Sequence, residues 1–147
     1  MKSMNIHLRL FLLVGLTGAL GSNHVLLAQE PESAVWLEGY WEGTGLQIDK
    51  QQWEVQLTVL DIARPMIAYP SLGCSGYWSM EQPGKSKIHY KETITDGFLK
   101  CDNGVDVFIK KLGKNKIRVT YYLYSYSEKA IAKAILKRYV PPTGDRN

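Results

Sequence analysis

The chain has 147 residues, a formal charge of +4 and two cysteines. That length leaves room for one domain at most once a leader is removed. The charge is too small for the electrostatic footprint of a nucleic-acid binder.

The amino terminus reads as an export signal. Lys2 and Arg9 flank a short polar start, and the run from Leu10 to Leu20 is apolar and uncharged. A membrane-spanning helix needs about 20 apolar residues, whereas an h-region of roughly 7–15 followed by small residues is what signal peptidase processes. Cleavage is expected after Ala28, with Ala19, Leu20, Gly21 before Ser22 as the alternative, so residues 1–28 are the leader and 29–147 a single β domain. Cleavage there removes Lys2 and Arg9 and no acid, and the charge falls to +2. No cysteine precedes Cys74, so no lipid-anchoring cysteine is offered at the cut. The product is expected to be extracytoplasmic, periplasmic or secreted, with no transmembrane anchor after cleavage. Two cysteines in an exported chain are most simply a disulfide, Cys74 to Cys101.

Alternation with period two dominates the mature sequence, the mark of strands with one buried face. The first strand is expected at Trp36 to Leu46. In the second, Trp53, Val55, Leu57 and Val59 point one way, with Glu54, Gln56 and Thr58 opposite. Strands are expected at Met66 to Tyr69 and at Cys74 to Met80. The pattern recurs at Ile88, Tyr90, Glu92 and Ile94, at Val105, Val107 and Ile109, and at Ile117, Val119, Tyr121 and Leu123. Turn residues separate them at Gln82 to Lys85, Asp96 with Gly97, Asp102 to Gly104, and Gly113 to Asn115, spacings that favour hairpins over crossover helices. From Ser127 to Tyr139 two patterns compete. Ser125 with Glu128 fits a capping box and Ile131, Ile135 and Tyr139 share a helical stripe. With period two, Ala132, Ala134, Leu136 and Arg138 form one face, and a closing strand is the preferred reading, stopped by Pro141 and Pro142. The fold class is therefore all-β: one small antiparallel β-barrel or strongly curved sheet of about eight strands, since closure removes exposed sheet edges.

Residues 69–78, YPSLGCSGYW, followed by Glu92, Ile94, Gly97, Cys101, Gly104 and Val105, resemble a pattern in small extracytoplasmic bacterial β domains. The resemblance covers Gly39 to Arg138 and implies a barrel-like fold and the disulfide, with no agreed activity. Gly39, Tyr40 and Trp41 also look like the G-x-W signature that opens lipocalin and avidin-type (calycin) barrels. The domain is shorter than a typical lipocalin and has little length for an open cup with long rim loops.

Residues that commonly carry catalysis are scarce. After cleavage His89 is the sole histidine, and it lies with Lys91 and Thr93 on the polar side of its strand, where no triad is offered. No catalytic residue, metal or cofactor is expected: both thiols are committed, and Asp102, Asn103, Gly104 and Asp106 read as an Asx-type turn rather than a calcium loop. Glu92 stands out because it shares a buried face, so it must be paired or protonated. A structural ion pair with Arg118, Lys100 or Arg138 is the plainer reading, and a ligand-facing acid inside the barrel the functional one. If Tyr121 faces the core, Arg118, Thr120, Tyr122, Tyr124 and Tyr126 face outward as a stacking strip, unless strand propensity alone explains the tyrosines. Lys110, Lys111, Lys114 and Lys116 near Gly113 could attract anionic glycans or lipid headgroups, but edge protection of the sheet explains them more simply.

Arg118, Tyr122, Tyr124, Tyr126 and Glu92 are thus the candidate ligand-binding residues. The first functional expectation is a noncatalytic binding module recognising a glycan or an envelope protein through surface aromatics. The second is a small-ligand carrier with a calycin-like interior. The third is a glycan-acting enzyme using Glu38 and Glu42 or Glu92, which would need two carboxylates at a defined separation.

Overall fold

The computed structural model describes residues 32–140. The expected leader, both candidate cleavage positions and the expected stop at Pro141 and Pro142 lie outside the described residues. A short 3-10 turn, Glu32–Leu37, is followed by eight strands: β1 Gly39–Gln47, β2 Gln52–Val59, β3 Met66–Tyr69, β4 Cys74–Gln82, β5 Lys87–Asp96, β6 Asp106–Gly113, β7 Lys116–Tyr122 and β8 Ala132–Tyr139. Each strand pairs antiparallel with the next, and β8 returns to pair with β1 from Tyr40↔Tyr139 to Gln47↔Ala132. The sheet is a closed up-and-down barrel.

The alternation in sequence becomes the division between inside and outside. Val55, Leu57 and Val59 of β2, Ile88, Tyr90, Glu92 and Ile94 of β5, and Ile117, Val119 and Tyr121 of β7 are all buried. In β8 the buried set is Ala132, Ala134 and Leu136, while Ile135 faces out. The Ser125 and Glu128 capping signal starts no helix. Ser127 Oγ instead accepts from the Lys129 amide at 3.0 Å, in a turn that delivers the chain to the β1 edge. Pairing with both β7 and β1 decides for strand here, because it satisfies the β8 backbone on both sides and buries its small-residue face.

Two expected strand limits are corrected. Trp36 and Leu37 belong to the 3-10 turn, and β1 starts only at Gly39, whose φ of +114° interrupts the extended chain. Three-residue periodicity in that turn lets Ala34 and Leu37 enter the core together. At the other correction, β7 ends at Tyr122, so the alternation does not carry Tyr124 and Tyr126 along one sheet face; both sit in a turn closed by amides of Tyr126 and Ser127 donating to Leu123 O. Closure of the barrel also removes the edge that the lysines around Gly113 were expected to protect.

The two ends of the barrel differ. At one end the 3-10 turn acts as a plug: Trp41 Nε1 donates to Leu37 O at 2.7 Å, and the Arg138 guanidinium donates to Trp36 O at 2.8 Å and to Glu38 O while lying 4.2 Å over the Trp41 ring. The Tyr90 hydroxyl donates to Ile62 O in the β2–β3 connection at 2.9 Å. At the opposite end the β1–β2, β3–β4, β5–β6 and β7–β8 connections form a rim. A disulfide crosses that rim, joining Cys74 at the start of β4 to Cys101 in the β5–β6 connection, with Cα atoms 6.4 Å apart. Gly97, at φ +65°, lets this connection pass directly against Gly73 O, and a Cβ there would collide with it.

The disulfide encloses 27 residues of sequence separation, which in the chain-entropy account stabilises by about 3–4 kcal/mol. Replacing both cysteines by alanine is expected to lower the denaturant midpoint correspondingly without changing the circular dichroism spectrum. Hydrogen exchange should show the greatest loss of protection in residues 97–105.

Candidate functional site

The rim surrounds a cleft of about 350 Å³ that runs down into the barrel. Trp53, Tyr69, Glu92 and Tyr121 line its inner part, while Leu72, Leu99, Lys100 and Asp102 are exposed at its margin. Each inner residue is placed by strand register. Trp53 stands opposite Gly45 of β1, and its indole occupies the space a Gly45 side chain would take. Tyr121 meets Trp53 and Tyr69 edge-on, with ring centroids 6.2 Å and 6.5 Å apart. Glu92 stands opposite Trp78, whose ring is wholly buried beneath the cleft and packs on Tyr90.

Glu92 is 4% exposed and forms no ion pair with Arg118, Lys100 or Arg138. Arg118 lies on the outer face, Arg138 is engaged at the plugged end, and Lys100 reaches only the margin of the cleft. The expected salt bridge is replaced by neutral donors. The Tyr69 hydroxyl donates to Glu92 Oε2 at 2.5 Å and Trp78 Nε1 donates to the same oxygen at 2.7 Å. Burial pushes the Glu92 pKa up to about 7, the two hydrogen bonds pull it part of the way back, and the Asp102 charge adds to the rise. The Tyr69 and Tyr121 hydroxyls are held protonated, chiefly by burial and in part by the Glu92 charge. Tyr121 is 4% exposed; its hydroxyl lies close enough to Tyr69 for a weak side-chain interaction, and near Glu92, but makes no well-formed hydrogen bond among the described residues. A buried hydroxyl so weakly paired carries part of the desolvation penalty of about 1–3 kcal/mol that a fully unpaired one would carry.

The other candidate residues are on the outside. Arg118, Tyr122 and Tyr124 share a shallow outer groove of about 550 Å³ with Phe108, Lys87 and Lys110. Tyr124 stacks on Tyr122 at 5.6 Å even though it has left the strand, and Tyr122 meets Phe108 edge-on at 5.5 Å. Tyr126, 79% exposed in its turn, is not part of that groove. The candidate set thus divides between two places separated by the barrel wall. Glu38 and Glu42 are exposed outside, whereas Glu92 is inside, so they share no cleft.

His89 stacks on Phe108 at 4.3 Å and bonds Asp106 at 2.8 Å, and Lys91 Nζ also meets Asp106 at 2.7 Å. Asn103 Oδ1 accepts from the Ile94 and Gly104 amides at 3.0 Å each, so this segment is a turn fastened to β5. Sequence reasoning passed over Trp53, Tyr69, Trp78 and Tyr121 as site residues. A signal was available, since tyrosine or tryptophan on an inward strand face brings a polar atom that needs a partner.

The raised Glu92 pKa has a defined sign. From the ordinary carboxylate value of 4.5 to about 7, the folded protein holds a proton that the unfolded chain has lost, so stability falls as pH rises through that window. The penalty is complete above it and is on the order of 3 kcal/mol. Glutamine retains an oxygen that accepts from Tyr69 and Trp78 but cannot ionise. Thermal denaturation of Glu92→Gln is therefore expected to match the parent near pH 5 and to exceed it at pH 8.

No family model and no curated protein matches the chain. Among solved structures it is similar to a redesigned β-barrel, b11L5F_LGL, with a TM-score of 0.51, 14% identity, and coverage of 74% of this chain and 96% of that one. It is also similar to the redesigned barrel mFAP1 bound to DFHBI, with a TM-score of 0.53, 17% identity, and coverage of 72% and 98%. A third, EF1p2_mFAP2b bound to DFHBI, has a TM-score of 0.50, 15% identity, and coverage of 74% and 98%. At these identities the likeness establishes the fold: a closed antiparallel β-barrel.

Proposed function

We propose that the chain is an exported, noncatalytic binding protein that holds a small ligand in the open end of its barrel. The observation that carries this reading is the cleft itself, with a buried carboxyl and a weakly paired buried hydroxyl at its inner end. Its volume suits a small molecule. A buried polar group so weakly paired is explained if a ligand supplies a full partner. The likeness to two barrels bound to a small molecule, DFHBI, is in keeping with this use of the fold. The disulfide at the rim suits an oxidising, extracytoplasmic compartment, as the leader does.

The outer groove favours a second reading, contact with a glycan or an envelope protein. Its support is the run of packed rings Phe108, Tyr122 and Tyr124 beside Lys87, Lys110 and Arg118. Rings with adjacent cations suit stacking and charge attraction together.

The two readings part under mutation. Tyr121→Phe removes the weakly paired hydroxyl and is expected to leave the stability of the ligand-free protein within about 1 kcal/mol of the parent while weakening retention of copurified small molecules in native mass spectrometry. Tyr122→Ala combined with Tyr124→Ala should leave that retention unchanged. Loss of binding to an acidic-glycan array in this double variant alone would place function in the outer groove instead.

A further inference from the structure

We infer that the cleft selects an organic cation: a ligand whose ammonium group enters the cleft against Trp53, Tyr69 and Tyr121 and pairs with Glu92. This rests on the small-ligand reading and adds the chemical class. Three aromatic rings, set at about 60° to one another in the pairs Trp53–Tyr121 and Tyr69–Tyr121, line the cleft together with the carboxyl. Ring faces and a carboxylate attract the same kind of guest. A cation over an aromatic face gains from the ring quadrupole, most strongly where water is excluded.

The charges around the cleft agree with that guest. Glu92 faces the Tyr69 hydroxyl of β3, the Trp78 indole of β4 and the Tyr121 hydroxyl of β7, all of them neutral. From the β5–β6 connection it sees the Asp102 carboxylate, with Lys100 at the margin. His89, on the same strand, points outward and is engaged by Asp106. One buried acid and one marginal acid against a single marginal lysine leave the inner cleft negative whenever Glu92 is ionised. Its two donors both fall on Oε2, and neither carries a charge that would neutralise it. An entering ammonium takes the place of the proton that burial otherwise keeps on the carboxyl, so binding expels a proton to solvent. A primary or secondary ammonium can also donate an N–H to the Tyr121 hydroxyl oxygen, which makes no well-formed hydrogen bond among the described residues, whereas a quaternary one uses the ring and carboxylate contacts alone.

Linkage then sets the direction of the pH effect. The cation binds the ionised form, so the apparent affinity scales with the ionised fraction of Glu92. With its pKa at about 7, affinity should be about thirty-fold higher at pH 8 than at pH 5.5 and should level off above pH 8.

The test uses the full mature protein and two probes of equal shape: choline, and its uncharged isostere in which a tert-butyl group replaces the trimethylammonium. Binding is read by calorimetry and by tryptophan fluorescence, with Trp53→Leu marking the Trp53 share, at pH 5.5 and pH 8. Choline is expected to bind at least ten-fold more tightly than the isostere at pH 8 and to lose most of that advantage at pH 5.5. Glu92→Gln should abolish both the preference and the pH dependence, and Trp53→Leu should weaken choline while thermal denaturation confirms that each variant is folded. Equal binding of the two probes, or preference for the isostere, would overturn the cation assignment and leave the small-ligand reading standing. Absence of binding by both probes and by an uncharged fluorescent dye at the cleft would overturn both.

Discussion

Closure of the sheet by the β1–β8 ladder is the constraint on which everything else depends. Eight strands curled into a ring enclose an interior just wide enough to be filled by side chains. Each inward residue must then either pack or find a polar partner, because no sheet edge remains at which a misfit could be relieved. At the plugged end Trp41 and Tyr90 find backbone carbonyls, although Trp36 Nε1 has no partner among the described residues, and toward the open end Tyr69 and Trp78 converge on Glu92.

Along the axis the interior changes character. Near the 3-10 turn it holds Leu37, Trp41, Ile88 and Leu136, all essentially inaccessible. Toward the rim it holds Tyr69, Trp78, Glu92 and Tyr121, where polar tips on large rings meet a single carboxyl. A hydrocarbon at position 92 would leave the Tyr69 and Trp78 donors unpaired, a change that costs more than a lost hydrogen bond because both are desolvated. The carboxyl is therefore both a fastening of β3 and β4 to β5 and the most distinctive chemical group in the cleft. Glutamine can keep the first role and not the second.

The rim adds rigidity where the cleft opens. The disulfide, the tight passage of Gly97 against Gly73 and the Asn103 carbonyl contacts all act on the β5–β6 connection. This is the connection that contributes Leu99, Lys100 and Asp102 to the cleft. A preformed margin lowers the ordering entropy that a ligand must otherwise overcome.

By itself the sequence determined seven of the eight strands in outline, the faces of those strands and the one possible disulfide, while β8 needed its pairing with β7 and β1 to be told from a helix. These depend on local period and on chain chemistry, both of which survive without knowledge of neighbours. It also marked Glu92 as inward, because alternation with Ile88, Tyr90 and Ile94 admits no other face. What only the tertiary structure decided were relations between strands distant in sequence. The partners of Glu92 come from Tyr69 and Trp78 through the barrel register, and an ion pair was the wrong expectation because every nearby cation is outside the wall or at its margin. The start of β1 and the departure of Tyr124 and Tyr126 from the sheet were settled by where the barrel ends, which no local pattern records. The cleft arises for the same reason: the volume left at one end depends on how Trp53, Tyr69 and Tyr121 meet across three strands, a packing outcome and not a property of any one of them.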